Sequence, residues 1–267
     1  MMVAYERALE TWRPDALFQD PFAIAMATDK GKMLSETVCE RCGKVGLAGW
    51  PEFHQMWTAV RTKFIDQRVA ELAATDSFTQ FVNLGAGLDT RAYRLQCFLA
   101  FRGGCFEVDM EVVNNGKRRI FAEFLGAPTP YCRVRPVSLD FLDAGTELRS
   151  KLREATFDDS KPAVFLSEGL VMYLGAEGQA KFISDVTAAA ARGSVLVLQF
   201  LGGSDVETDL GSFNMLSVDK AERLLTDAGW AQLEFSRFGD ERLNFGRFPT
   251  QRFEPTPYFS FVVCVKT

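Results

Sequence analysis

From residue 78 onward the sequence alternates short apolar runs with longer charged stretches, and this alternation restricts the fold more than any other feature. Residues 78–84, 104–109, 132–139, 163–166 and 194–200 are runs of strand-forming type, and the first of them stops in glycines. Between them lie segments with helical patterning, 111–125 and 178–191 among them. Strands separated by helices pair in parallel, with the helices covering both sheet faces. Residues 231–238 and 258–265 form a last pair of strand-like runs. The segment joining them contains Gly, Asn and Pro and has no helical pattern, which favours antiparallel pairing. The expectation is an α/β fold, doubly wound, with a mostly parallel seven-stranded sheet and one antiparallel strand near its end.

Residues 1–77 have a different texture. Phe18, Phe22, Ala25 and Met26 fall at helix spacing, as do Phe53, Met56, Trp57, Val60, Phe64 and Ile65. Residues 37–51 hold Gly43, Gly46, Gly49 and Pro51 and read as a loop. The chain thus divides into a helical N-terminal lid, 1–77, and a core, 78–267, together one functional domain. On this reading residues 1–20 serve turnover more than folding.

Composition narrows the partners. The net charge of −5 lacks the cationic surplus of a nucleic-acid binder, and no polybasic cluster points to anionic lipid. No 18 consecutive residues are apolar, so no membrane span is expected. Charges interrupt the first residues, which therefore do not read as a signal or transit peptide. The six cysteines are scattered, most beside apolar runs, as in a reduced cytoplasmic protein. Cys39 and Cys42 form a single Cys-x-x-Cys with His54 twelve residues later, and no second ligand pair follows, so no metal is expected.

The stretch from Phe81 to Leu95 carries the most chemistry. A strand stops at Gly85, and Gly85 and Gly87 allow a tight turn with close backbone approach to a ligand. Asp89 or Thr90 can cap a helix beginning near Arg91. Gly-x-Gly after a strand also serves as a plain structural turn. The next strand ends in Asp109, 24 residues after Gly85, where a carboxylate can accept from both ribose hydroxyls of an adenosine cofactor. A dinucleotide site would want a third glycine where Thr90 stands, and no pyrophosphate cradle is evident. A phosphate-free adenosine cofactor fits better.

These residues resemble the leucine carboxyl methyltransferase family, which includes polyketide O-methyltransferases. The matching stretches are Arg13-Pro-Asp-Ala-Leu-Phe-Gln-Asp-Pro21, Arg61-Thr-Lys-Phe-Ile-Asp66, Asn83-Leu-Gly-Ala-Gly-Leu-Asp-Thr-Arg-Ala-Tyr-Arg94, Glu107-Val-Asp109, Leu139-Asp-Phe141, Ser167-Glu-Gly-Leu-Val-Met-Tyr-Leu174 and Asn244-Phe-Gly-Arg-Phe248, in family order. The resemblance implies a Rossmann-like methyltransferase fold and S-adenosyl-L-methionine as cofactor. It implies that Arg61 pairs with the cofactor's carboxylate and that Gly85, Ala86 and Gly87 line its methionine portion. Asp109 would hold the ribose, Asp140 and the backbone of Phe141 the adenine, and Glu168 the amino group.

Each residue has a plainer reading. Arg61, Arg91 and Arg94 can be solvated helix residues, and Asp140 can close a turn. Glu168 follows an apolar strand, where an unpaired carboxylate is costly.

The resemblance points to transfer of a methyl group to oxygen, with a small-molecule acceptor bearing a carboxylate or acidic hydroxyl. The alternatives are a protein C-terminal carboxylate and a non-catalytic cofactor-binding regulator. A carboxylate needs no base, whereas a hydroxyl does. The one histidine, His54, is the candidate base, and Tyr173 is the second candidate catalytic side chain, its plainer role being packing. Trp12, Phe18, Phe22, Trp50, Phe53 and Trp57 are candidates to shape an apolar acceptor pocket, with helix-to-sheet packing the competing role.

Overall fold

The computed structural model describes residues 1–44, 49–143, 145, 147–202, 206–208, 211–247 and 259–267. Seven strands form one sheet: β1 (Gln80–Leu84), β2 (Gly104–Asp109), β3 (Val134–Ser138), β4 (Val164–Ser167), β5 (Val195–Leu201), β8 (Trp230–Arg237) and β9 (Phe259–Lys266). Between β5 and β8 lies a separate two-stranded hairpin of β6 (Val206–Thr208) and β7 (Gly211–Phe213). The sheet order is β3-β2-β1-β4-β5-β9-β8. All neighbours through β5 are parallel, and β9 runs antiparallel to both β5 and β8. The mostly parallel seven-stranded sheet with one reversed strand is therefore present. Its strand order reverses between β1 and β4, and ligands bind doubly wound sheets at the carboxyl edge of such a switch point.

β1, β4 and β5 are buried along their whole length, as strands covered on both faces must be. On one face α6 (Leu148–Glu154), α7 (Ala176–Ala189) and α8 (Val218–Asp227) bring Leu148, Leu152, Phe182, Val186 and Leu225 onto Val82, Phe106, Phe165 and Leu196. On the other face α3 (Trp50–Ala73) brings Trp57, Val60, Phe64 and Val69 onto Phe81, Val164, Val197 and Phe261. Trp57 lies 4.4 Å from the Phe259 ring, and Phe64 lies 4.4 Å from Phe261. Thus α3 is itself a layer of the core. A smaller cluster joins Ala4 of α1 (Met2–Thr11) and Met26 and Ala27 of α2 (Ala23–Lys44) to Ile120 and Phe121 of α5 (Glu111–Phe124).

The loop expected over 37–51 is mostly helix. α2 continues to Lys44 and α3 begins at Trp50, while 45–48 lie outside the described residues. Gly43 stands in the last turn of α2 and Pro51 in the first turn of α3, positions where glycine and proline mark helix ends and not a missing helix. α2 is broken once, at Thr28, whose φ is 53°. Among the described residues no helix is long and apolar enough to cross a membrane.

Candidate cofactor site

β1 ends at the glycine turn, where Gly85 and Gly87 take φ of 69° and 46°, the left-handed region that only glycine enters without strain. The amides of Gly85 and Ala86 both donate to the Val108 carbonyl, at 2.8 and 3.1 Å. The Gly87 amide donates to Asp109 Oδ2 at 2.7 Å, and the Met110 amide donates to Asp109 Oδ1 at 2.8 Å. Both carboxylate oxygens are thereby aimed, and each keeps a lone pair for a ligand hydroxyl. A Cβ on Gly87 would meet only the Gly85 carbonyl, at 3.8 Å, so the space above it is open. A Cβ on Gly85 would press Leu170 to 3.1 Å, so this glycine lets the turn after β4 close in.

The Leu139 amide donates to the Asp109 carbonyl at 3.0 Å and sets the end of β3 beside that of β2. Asp140 is exposed there, and its Oδ1 accepts from the Leu142 amide at 2.9 Å, the turn-closing role weighed for it. Phe141 is half-buried, its ring centroid 5.6 Å from that of Phe182.

Glu168 follows β4 and sits between two arginines. Arg61 Nε of α3 is 2.7 Å from its Oε1, and Arg91 Nη1 donates to its Oε2 at 2.7 Å. Burial alone would raise the Glu168 carboxyl pKa, but Arg91 and Arg61 outweigh it and hold the group below its ordinary value.

Arg91 and Arg94 are not surface residues. They bracket the one-turn helix α4 (Arg91–Arg94), and each side chain is 3% exposed. Arg91 also donates to Asp66 at 2.7 Å and Asp89 at 2.6 Å, and Arg94 grips both Asp66 oxygens at 2.6 and 2.8 Å. Asp89 accepts in addition from Asn83 and the Arg91 amide. Burial would raise its pKa, yet Arg91 and Lys117 carry it well below the carboxylate range. Arg7 and Asp20 extend the network into the N-terminal segment. Four arginines, at 7, 61, 91 and 94, thus face four carboxylates, at 20, 66, 89 and 168, and the buried charges balance.

The other expected residues lie further out. His54 stands on the same α3 face as Arg61, two turns earlier. Its Nδ1 is 2.8 Å from Glu6 Oε1, and Thr58 Oγ1 donates to Glu6 Oε2 at 2.6 Å. Tyr173 is 58% exposed, its ring 5.7 Å from Phe213; crowding raises its phenol pKa, against a smaller opposing pull from Arg61. Of the aromatics weighed for an acceptor pocket, Phe18, Phe53 and Trp57 are buried in packing, Phe22 stacks edge-on to Tyr93 and Phe121, and Trp12 is 61% exposed. The Trp50 and Cys42 side chains lie outside the described residues. Among the described residues no group of three His, Cys, Asp or Glu is placed to hold a metal.

The sequence reading missed the partners of these residues. The sequence alone assigns no role to Asp20, Asp66, Arg7 or Gln199. Gln199 is buried on β5, its Oε1 accepts from the Gly169 amide at 2.9 Å, and its Nε2 has no partner among the described residues. The motif stretches that contain Asp20 and Asp66 are the available signal.

The model of the family described as leucine carboxyl methyltransferase matches residues 1–187. The chain belongs to that family. It stands accordingly in the superfamily of S-adenosylmethionine-dependent class I methyltransferases. A family relative from Mycolicibacterium smegmatis, provisionally named an S-adenosyl-L-methionine-dependent methyltransferase, is 36% identical over 205 residues, 74% of this chain and 65% of that protein. A relative of the same provisional name from Parafrankia sp. is 34% identical over 199 residues, 74% of this chain and 61% of that protein. The matches therefore span less than two thirds of these relatives' lengths. The crystal structure of a DUF574 family protein from Streptomyces avermitilis shares the fold, with a TM-score of 0.62 at 15% identity over 99% of this chain and 97% of that one.

Proposed function

We propose that the chain is an S-adenosylmethionine-dependent O-methyltransferase acting on a small molecule through a carboxylate or acidic hydroxyl. The observation that supports this most is the set of groups along the carboxyl edges of β1, β2 and β4: Gly87 and Asp109 at one end, Arg61 and Glu168 at the other. The cofactor brings one carboxylate, one ammonium and a ribose diol. Arg61 Nη1 and Nη2 have no hydrogen-bond partner among the described residues, so a guanidinium edge is available for a carboxylate. Glu168 would take the ammonium, Asp109 the diol, and Gly85, Ala86 and Gly87 the methionine portion. Asp140 and Phe141 would meet the adenine.

When bound, the cofactor supplies an electrophilic methyl group on a sulfonium. The protein's part is then to align an acceptor oxygen with that group and to exclude water, and alignment alone accounts for roughly 7–11 kcal/mol of such a barrier. A carboxylate acceptor is already ionised at neutral pH. For a hydroxyl acceptor, His54 is the side chain whose ring is oriented by a carboxylate, that of Glu6, the arrangement a general base requires. Tyr173, whose phenol feels the Arg61 charge, is the second candidate for this role. Residues 1–77 would cover a core of 78–267, with α3 shared between the two.

Acceptor-dependent release of S-adenosylhomocysteine tests the reading. Release with small acids or phenols is expected, and Arg61→Ala lowers it when the cofactor is limiting. Release with a leucine-ended peptide alone would favour the protein C-terminus as acceptor. Cofactor binding without release for any acceptor would favour a regulatory binding protein.

A further inference from the structure

Asp20 lies away from the strand edges, yet it is 2% exposed and its contacts lead to the glycine turn. Its Oδ2 accepts from Arg7 Nε at 2.9 Å and from Thr90 Oγ1 at 2.7 Å, with Arg94 Nε 3.7 Å away. Its Oδ1 accepts from the Phe22 amide at 3.2 Å. Arg7 Nη2 then donates to the Leu88 carbonyl at 2.7 Å. Leu88 and Thr90 are the residues on either side of Asp89, in the limb of the turn that leaves Gly87. The limb that enters the turn is held from inside the core, by Val108 and Asp109. The leaving limb is held from the core at Asp89, through Asn83, and by the N-terminal segment at Leu88 and Thr90.

Thr90 makes this dependence plain. It is the N-cap residue of α4, but its hydroxyl donates to Asp20 and makes no capping bond to the helix. A one-turn helix whose first amide is met by Asp89 and whose N-cap hydroxyl turns away to Asp20, joined to a turn with two left-handed glycines, has little rigidity of its own. Removing the Asp20 charge would leave Arg7 buried without its counter-charge and the Thr90 hydroxyl with at best a neutral acceptor.

We infer that Asp20 is a positioning residue for the cofactor turn, acting through Arg7 and Thr90, so that occupancy of the cofactor site and docking of residues 1–22 are coupled. The inference rests on the methyltransferase reading above. Coupling of this kind is reciprocal: whatever helps the turn bind its ligand is itself stabilised by that ligand.

The test uses S-adenosylhomocysteine as probe on the full chain. Affinity is measured by calorimetry for wild type, Asp20→Asn, Thr90→Val and Thr90→Ser, and amide hydrogen exchange is followed over residues 1–22 with and without the probe. The probe is expected to slow exchange over residues 1–22 in wild type. Asp20→Asn should weaken binding about tenfold or more and Thr90→Val about threefold or more, whereas Thr90→Ser, which keeps the hydroxyl, restores it. A purely structural role would lower the thermal midpoint but leave affinity and probe-induced protection unchanged, and that result overturns the inference. Should Asp20→Asn fail to fold, the Thr90 pair decides the matter. A wild type that does not bind the probe removes the methyltransferase reading and this inference with it. A wild type that binds, with Thr90→Val equal to it, removes this inference alone.

Discussion

Arg61 Nε lies 2.7 Å from Glu168 Oε1 but is not aligned for a hydrogen bond, while Arg91 Nη1 makes an aligned bond to the other oxygen of the same carboxylate. Glu168 is therefore anchored by Arg91 and only neutralised by Arg61. The Arg61–Glu168 contact is the one a zwitterionic ligand can open without stripping Glu168 of its hydrogen bond. Arg61→Ala is expected to weaken cofactor binding by about 1.5–3 kcal/mol, and Arg61→Lys by less, since the charge remains but the bidentate edge is lost. Calorimetric titration checks this, and equal affinities for Arg61→Ala and wild type would take Arg61 out of the site.

Asp109→Ala is expected to weaken cofactor binding by roughly 1.5–3 kcal/mol, the loss of two charge-assisted hydrogen bonds. The substitution also frees the Gly87 amide, now tied at 2.7 Å. Adenosine competes for the cofactor through the ribose diol. Its affinity should fall in this variant and hold in Arg61→Ala, a split that a general loosening of the turn would not produce.

The buried network makes stability depend on pH. Glu168 and Asp89 are both held below their ordinary pKa values in the fold. A carboxylate with a depressed folded pKa contributes its full stabilisation above its unfolded pKa and loses it as pH falls towards the folded value. Their contribution should thus be flat from neutrality down to about pH 5 and decline below about pH 4. Glu107 acts in the opposite sense, since burial outweighs Lys117 and raises its pKa, so its term grows as the pH falls. Urea unfolding across this range should show a net loss on the acid side. Stability that climbs steadily from about pH 5 to about pH 3 would contradict the balance assigned here.

Deleting residues 1–20 was expected from sequence to harm turnover more than folding. The structure changes that expectation. Ala4 is buried with Met26, Ala8 is buried, Arg7 and Asp20 are buried in the charge network, and Glu6 and Glu10 are buried too. The deletion removes Arg7 and Asp20 together but takes the packing of α1 and the Glu10 partner of Arg247, and should destabilise the fold by several kcal/mol. A truncated chain with an unchanged urea midpoint would show that the segment is not structural.

His54 offers a way to tell acceptor types apart. His54→Gln should leave transfer to a carboxylate within about threefold of wild type and lower transfer to a phenol about a hundredfold, the usual scale of general-base assistance. Equal losses with both acceptors would place His54 in structure and not in chemistry.

The sheet was legible because period-two and buried runs are local signals: the strands end within a few residues of their expected places, and the reversal of β9 followed from the absence of a helix before it. The glycine turn and Asp109 were legible for the same reason, since both sit at strand ends. The charge network was not. Arg91 and Arg94 on a short helix look solvated until their partners are known. Asp66 lies 25 residues from Arg91 along the chain, Asp20 lies 70 from Thr90, and Glu168 lies 77 from Arg91. The helix over 37–44 was hidden by Gly43, whose cost to a helix is small beside the packing that tertiary structure supplies.

Transfer of label from methyl-labelled S-adenosylmethionine to a panel of small carboxylic acids, phenols and a leucine-ended peptide tests the central claim most directly. Methyl esters are cleaved by mild base and phenol ethers are not, so the bond formed identifies the acceptor oxygen. The account predicts label on a small molecule, most of it base-labile, with S-adenosylhomocysteine formed in equal amount. No label on any acceptor, or label on the peptide alone, would contradict it.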